Sequence, residues 1–247
     1  MSGHSKWHNI QAKKGKADAA RGKIFTKLGR ELLIAVKEGG PDPAGNSKLK
    51  NVIAKCKTAN MPNDTINNAI KKASGSSENY EEITYEGYAA GGVAVVVEAM
   101  TDNRNRTAGD VRSIFSKFNG NLGETNCVGY MFDKKGSVTF DSDVDYDKLF
   151  EAAINNDAED VEEDEDGYRV ITSVEKFQSV VEGLEGEGFK SSNAELTRIP
   201  TNTIEITDVK TATLVMRLID RLEELDDVQN VYANCDIPDD VAQMAEV

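Results

Sequence analysis

Eight cations fall within the first thirty residues, at Lys6, Lys13, Lys14, Lys16, Arg21, Lys23, Lys27 and Arg30, against a single acid, Asp18. Ammonium and guanidinium groups at this density suit phosphodiester oxygens, because each neutralised phosphate releases condensed counterions. Trp7 and His8 stand beside Lys6 and offer aromatic faces for stacking on an unpaired base. These ten residues are the candidate nucleic-acid-binding set. It is dominated by lysine, with only Arg21 and Arg30 able to fork onto a base edge, so phosphate contact is favoured over sequence readout. That balance leans toward RNA or ribosome contact, with duplex DNA close behind. A second pair, Arg104 and Arg106, sits in an otherwise acidic region and is a candidate for a secondary phosphate or protein contact.

The whole chain, 247 residues long, carries a formal net charge of -14. Residues 1–75 hold 15 Lys+Arg and 5 Asp+Glu, so the remainder is net -24. Because salt screens charges beyond about 8 Å, a polyanion docked on the basic end is expected to be insulated from the acidic rest. Other chemistries are poorly served. There is no GxxxxGK[ST] phosphate loop, no GxGxxG after a strand, no HExxH and no Cys/His nucleophile pair with an orienting acid. His4 and His8 are the only histidines and have no third ligand nearby. Cys56, Cys127 and Cys235 are odd in number and widely spaced, which argues against a disulfide framework or a zinc knuckle. The expectation is a non-enzyme with no catalytic residue, no cofactor and no metal.

Residues 141–166 contain thirteen acids and one lysine. A calcium loop starting at Asp141 fails at Tyr146, where glycine is needed, and at Ala152, where the bidentate acid belongs. A second frame ending Asp164-x-Asp166-Gly167 reaches Ser173 at that acid position. The stretch therefore reads as a solvated acidic surface that repels polyanions or meets a basic protein partner.

The elements that must position these residues follow from hydrophobic period. Upstream of Ile24 too few apolar residues are present to offset backbone entropy, which predicts a mobile or conditionally helical arm. Phe25, Leu28, Leu32, Ala35 and Val36 recur at helical spacing until Gly39-Gly40 with Pro41 behind. Asn46 or Ser47 caps a second helix with Leu49, Val52, Ile53 and Cys56 inside, and Pro62 opens a third that ends at Gly75. Ser74-Gly75-Ser76-Ser77 is a linker. Residues 83–88 and 93–100 form a β-hairpin about Gly91-Gly92, and Thr107 with Asp110 starts a helix that buries Val111, Ile114, Phe115 and Phe118. A second hairpin is expected across residues 133–135, followed by a helix at 146–154, a strand at 168–171, a helix at 174–184 and a strand at 195–199. This order resembles the ferredoxin-like split motif. A helix at 211–225 and a strand at 228–234 return to complete the sheet begun at Ile83.

The fold class is thus α+β multidomain: a three-helix bundle, then two ferredoxin-like α/β modules, the third domain inserted in the second. The expected division is 1–76 (basic helical domain with flexible arm), 77–128 with 206–247 (α/β domain), and 129–205 (acidic inserted domain). No run approaches the roughly 18 apolar residues of a membrane span and no apolar secretory core follows the start, so a cytoplasmic protein is expected.

Several strings in order resemble the YebC/PmpR family: Gly3-His4-Ser5-Lys6-Trp7 with Asn9-Ile10, Gly39-Gly40 before Asp42-Pro43, Asn60-Met61-Pro62, Ala69-Ile70-Lys71-Lys72, Glu86-Gly87-Tyr88, Gly91-Gly92-Val93-Ala94, Thr101 through Thr107 (TDNRNRT) and Gly120-Asn121-Leu122-Gly123. Ala89-Ala90 and Tyr130 are small departures, where Gly-Pro and Trp or Phe are common. The resemblance implies three domains around a cleft and no catalysis. Some members of that family are described as DNA-binding transcriptional regulators. Others resemble ribosome-associated factors that help translation past proline runs, and a mitochondrial relative activates translation of a cytochrome oxidase subunit. The reading from another class is a protein-interaction scaffold without nucleic-acid contact, its basic arm only solubilising.

Overall fold

The computed structural model describes residues 19–77, 79–164 and 167–245. Its chain divides into two compact units, one made of residues 1–132 with 200–247 and the other of residues 133–199. Of the arm expected upstream of Ile24, residues 1–18 lie outside the described residues, while residues 19–23 belong to the first helix.

The first unit begins with three helices, α1 (Ala19–Gly39), α2 (Ser47–Thr58) and α3 (Asn63–Gly75). Their facing stripes bury Leu28, Leu32, Val36, Leu49, Val52, Cys56 and Ile66 in one core, as the helical spacing predicts. One buried side chain fixes the α1–α2 corner. Asn46 Nδ2 donates to the carbonyls of Ala35 at 2.7 Å and Gly40 at 2.9 Å, while its Oδ1 accepts from Leu49 N at 3.0 Å as the cap of α2. Gly40 takes φ +84° at the end of α1, where a Cβ would be strained.

An antiparallel hairpin follows, β1 (Glu81–Tyr88) and β2 (Ala94–Thr101), turned by Gly91 and Gly92, both at positive φ. Helix α4 (Arg104–Lys117) and the short β3 (Asn121–Leu122) come next, β3 pairing with β1. The start of α4 differs from the expectation. Asn103 is its cap, accepting from Arg106 N at 3.1 Å, so the helix begins three residues before Thr107. Thr107 and its hydroxyl are instead drawn into a buried polar cluster.

The second unit is built from β4 (Phe132–Asp141), α5 (Tyr146–Asn155), β5 (Asp160–Asp164), β6 (Gly167–Thr172), α6 (Phe177–Gly186) and β7 (Asn193–Pro200), with sheet order β5-β6-β4-β7. This is the ferredoxin-like split motif with both helices over one core of Val138, Phe140, Leu149, Val170, Phe177 and Leu184. The hairpin expected across residues 133–135 is absent, because β4 runs straight through them. Gly136, just past that expected turn, is a packing glycine inside β4: a Cβ there would lie 2.3 Å from Thr172 Oγ1 and 2.4 Å from the Phe177 ring. Strand β5, inside the acidic stretch, was not expected. It pairs antiparallel with β6 from Asp160 to Asp164, with Val161 buried and Glu162 in a cross-strand ion pair with Arg169.

Returning to the first unit, β8 (Ile204–Glu205) leads to α7 (Val209–Glu223), β9 (Val228–Ala233), β10 (Cys235–Asp236) and α8 (Asp239–Ala245). Strand β9 pairs antiparallel with β2, completing a sheet of order β3-β1-β2-β9. Helix α7 lies beside α4 on one face of this sheet and buries Val215, Leu218, Ile219 and Leu222 with Val111 and Phe115 of α4. Val95 and Val97 face these helices while Ala94 and Val96 pack with Val128 and Phe132 on the opposite face. A strand covered on both sides reads as a continuous apolar run.

Candidate nucleic-acid interface

Lys23, Lys27 and Arg30 recur at i, i+4 and i+7, so α1 presents them on one face. That face meets the carboxyl end of α7. Lys23 Nζ donates to Glu224 O at 3.2 Å, Lys27 Nζ to Glu223 O at 2.9 Å, and Arg30 Nη1 to Asp226 O. The last carbonyls of a helix have no partner within it and carry its partial negative charge, so Lys23 and Lys27 satisfy both needs, while Arg30 reaches the turn just beyond. Burial pushes the Lys27 ammonium below its ordinary pKa, against the opposing charge of Glu223. Arg30 also lies over the Tyr80 ring, 5.3 Å from its centroid.

Asp227 is the hub of this region. Its buried carboxylate is reached by Arg30 Nη1 at 2.9 Å, Arg106 Nη2 at 2.8 Å and Thr107 Oγ1 at 2.6 Å, and Thr107 Oγ1 is 2.8 Å from Thr101 Oγ1. Burial by itself raises the Asp227 pKa, but hydrogen bonds from Arg106 and Thr107 and the charges of Arg30 and Arg106 outweigh it and hold the carboxyl below its usual range. The backbone joins in, Asp227 O accepting from Met100 N at 2.8 Å. The cluster ties α1, the start of α4 and the α7–β9 turn together beside an open cleft of about 570 Å³, whose walls alternate Lys23, Arg30 and Arg106 with Asp102, Asp110 and Asp226.

Comparison with known proteins gives two matches in register with this architecture. Residues 5–76 match the TACO1/YebC protein N-terminal domain, and residues 80–235 match the TACO1/YebC second and third domain. The chain belongs to the TACO1/YebC family. It is 58% identical over 244 residues to a protein of Clostridium tetani, covering 97% of this chain and 99% of that one, and 57% identical over 238 residues to one of Acetivibrio thermocellus, covering 95% and 98%. Both are named "probable transcriptional regulatory protein". The crystal structure of a conserved hypothetical protein from Aquifex aeolicus is similar at TM-score 0.84 and 47% identity, covering 92% of this chain and 95% of that chain.

Within this TACO1/YebC chain the candidate residues separate into groups. Lys6, Trp7, His8, Lys13, Lys14 and Lys16 lie outside the described residues, as does the side chain of Arg21, whose backbone is in α1. Lys23, Lys27 and Arg30 are brought together, but onto α7 and Asp227. Arg106 joins them there and also meets Asp102 at 2.8 Å, while exposed Arg104 is 4.0 Å from Glu81. Other lysines of the TACO1/YebC N-terminal domain pair within the unit, Lys48 with Glu38 and Glu82 and Lys55 with Glu31. His4 and His8 fall outside the description. Among the described residues no group of three His, Cys, Asp or Glu is placed to hold a metal, and Cys56, Cys127 and Cys235 are free thiols. Burial pushes Cys56 and Cys235 up to about 11, which disfavours the thiolate form. No described helix is long and apolar enough to cross a membrane.

Two structural carboxylates of this TACO1/YebC fold escaped the sequence reading. Asp227 lies in the turn between α7 and β9, where nothing in the sequence sets it apart from its acidic neighbours. Glu86, in the string Glu86-Gly87-Tyr88, is buried in β1 and accepts from the backbone N–H groups of Asn126 at 3.0 Å, Val128 at 2.9 Å and Gly129 at 2.6 Å. It shapes the loop before β4. Gly87 beside it is compelled, since a Cβ would sit 2.5 Å from Asn121 O and 2.9 Å from the Phe115 ring. An acid in an otherwise half-buried strand was the available signal.

Proposed function

We propose that the protein is a non-enzymatic regulator of gene expression of the YebC type that binds nucleic acid through its amino-terminal domain. The observation that carries this reading is the concentration of 15 Lys+Arg against 5 Asp+Glu in residues 1–75 of a chain whose net charge is -14. The names of its curated relatives support the regulatory half. With Lys23, Lys27 and Arg30 engaged at the end of α7, phosphate contact is assigned to Lys6, Lys13, Lys14, Lys16 and Arg21, with Trp7 and His8 as stacking faces. Exposed Arg104 is the secondary contact. The three-part domain division, a cytoplasmic setting, and RNA or the ribosome ahead of duplex DNA as the target belong to the same proposal.

If about six cations neutralise phosphates, log K falls with log salt at a slope near -4 on single strands and -5 on duplex. Fluorescence anisotropy with labelled RNA and promoter-length DNA over a salt series measures both, and slopes near zero refute the mechanism. Sedimentation of tagged protein from lysate separates the targets: co-migration with ribosomes that RNase abolishes identifies translation. The engagement of Lys23, Lys27 and Arg30 with the protein itself favours one rival reading, a protein-interaction scaffold. Deleting residues 2–20 discriminates, since nucleic-acid or ribosome association vanishes under the first reading, whereas ribosome association made through protein contacts survives under the second.

A further inference from the structure

Helix α5 of the inserted unit carries more apolar surface than its core requires. Leu149, Ala152 and Ala153 are buried and complete the packing under the helix. Beside them Tyr146, Phe150 and Ile154, spaced i, i+4 and i+8, form a second apolar row that is 36%, 41% and 47% exposed. The row is pre-ordered. The Tyr146 ring sits 5.2 Å from Tyr168 of β6 and 5.9 Å from Phe150, so a partner finds aromatic surface already held in place. It spans eight residues, about 12 Å at roughly 1.5 Å each, or two turns of an opposing helix.

The surroundings select the partner's charge. The next row on α5 is Asp147 and Glu151, with exposed Asp143 just ahead of the helix. Lys148, the one base on α5, is turned onto Asp145 at 3.1 Å. Residues 133–199 contain 19 Asp+Glu against 7 Lys+Arg. Such a surface repels phosphodiester backbones and anionic lipid alike, while its aromatic row is wasted on a purely polar partner.

We infer that the Tyr146–Phe150–Ile154 face of α5 docks a basic amphipathic helix of a partner protein, whose aliphatic side chains three and four residues apart lie on the row and whose lysines or arginines meet Asp143, Asp147 and Glu151. This is recognition of one helix by another along an apolar row, with the charge rim fixed by the acids. It is independent of whether the amino-terminal domain binds nucleic acid.

The test uses the full chain and a labelled amphipathic leucine–lysine peptide as probe, with a serine–lysine peptide of equal charge as control, followed by anisotropy. The leucine–lysine peptide binds at least about tenfold more tightly than the control, and Phe150→Ser with Ile154→Ser removes that advantage. Glu151→Lys with Asp147→Lys weakens the leucine–lysine peptide by a similar factor. Because the substituted side chains are exposed, circular dichroism of each variant matches the parent. Equal binding of the two peptides, or retention of the advantage in the Phe150/Ile154 variant, overturns the inference. Binding of nucleic acid that survives or fails in the same samples bears only on the amino-terminal domain.

Discussion

The Arg30 guanidinium of α1 and the Asp227 carboxylate beyond α7 meet at 2.9 Å with 15% and 10% of their side chains exposed. Nearly two hundred residues of chain separate them, so this pair holds the helical bundle against the sheet rather than stabilising either alone. Removing one partner of a buried pair leaves the other charge desolvated, at a cost of about 3 kcal/mol. Asp227→Ala strands Arg30, Arg106 and Thr107 together. The expected outcome is a lowered thermal midpoint with faster amide hydrogen exchange in α1 and the first turn of α4, while β4–β7 exchange unchanged. Hydrogen exchange by region distinguishes this from general destabilisation.

Acid should dissolve the same contact. The Asp227 carboxyl is held below its usual range by Arg106, Thr107 and Arg30, against the effect of burial. A group depressed on folding contributes stability that is complete above its unfolded pKa, about 3.9, and is lost as pH falls through the lower folded value. Asp227→Asn has no such contribution. Thermal midpoints of the parent and this variant therefore differ most at neutral pH and converge as pH drops below about 4. Parallel curves across that window would remove Asp227 from the acid response.

The structure shows Lys23, Lys27 and Arg30 occupied by protein, the proposal puts phosphate on the lysines before them, and the two groups should respond differently. Lys23→Ala with Lys27→Ala deletes donors to the carbonyls of Glu224 and Glu223. Stability should fall while the salt slope of nucleic-acid binding stays put. Replacing Lys13, Lys14 and Lys16 with Ala should leave the thermal midpoint alone and make the slope shallower by about 2 to 3, at roughly 0.7 to 0.9 per lost contact. A slope that follows Lys23 and Lys27 instead would show that those side chains leave α7 when nucleic acid binds.

Much of the scaffold was legible because its signals are local. The period of Leu28, Leu32 and Val36, the glycine pair at Gly91-Gly92 and the apolar run of β2 each specify their element with little outside help. The failures share a cause. Residues 133–135 read as a turn, and Gly136 behind them is revealed as a packing glycine of a continuous strand only when Thr172 and Phe177 are brought over it. Thr107 reads as a cap until Asp227 arrives from 120 positions away. Lysines on α1 likewise read as open surface because a sequence does not display the α7 carbonyls they reach. Long-range polar partners carry no periodicity, so charge pattern locates cations without telling which are already taken.

Asn46 and Gly39 make the last expectation, a coupling at the α1–α2 corner. Asn46→Ala removes the α2 cap, worth about 1 kcal/mol, and frees the carbonyls of Ala35 and Gly40 from their partner. Gly39→Ala destabilises for the opposite reason, since its new Cβ would lie 2.7 Å from the Asn46 amide and push that side chain off its bonds. Once Asn46 is shortened to Ala, the obstruction is gone and Ala at position 39 regains the roughly 1 kcal/mol helix preference it holds over glycine. The double variant should therefore be no less stable than Asn46→Ala alone, a strongly non-additive cycle readable from urea midpoints. Simple addition of the two losses would mean that the corner is held by something other than this amide.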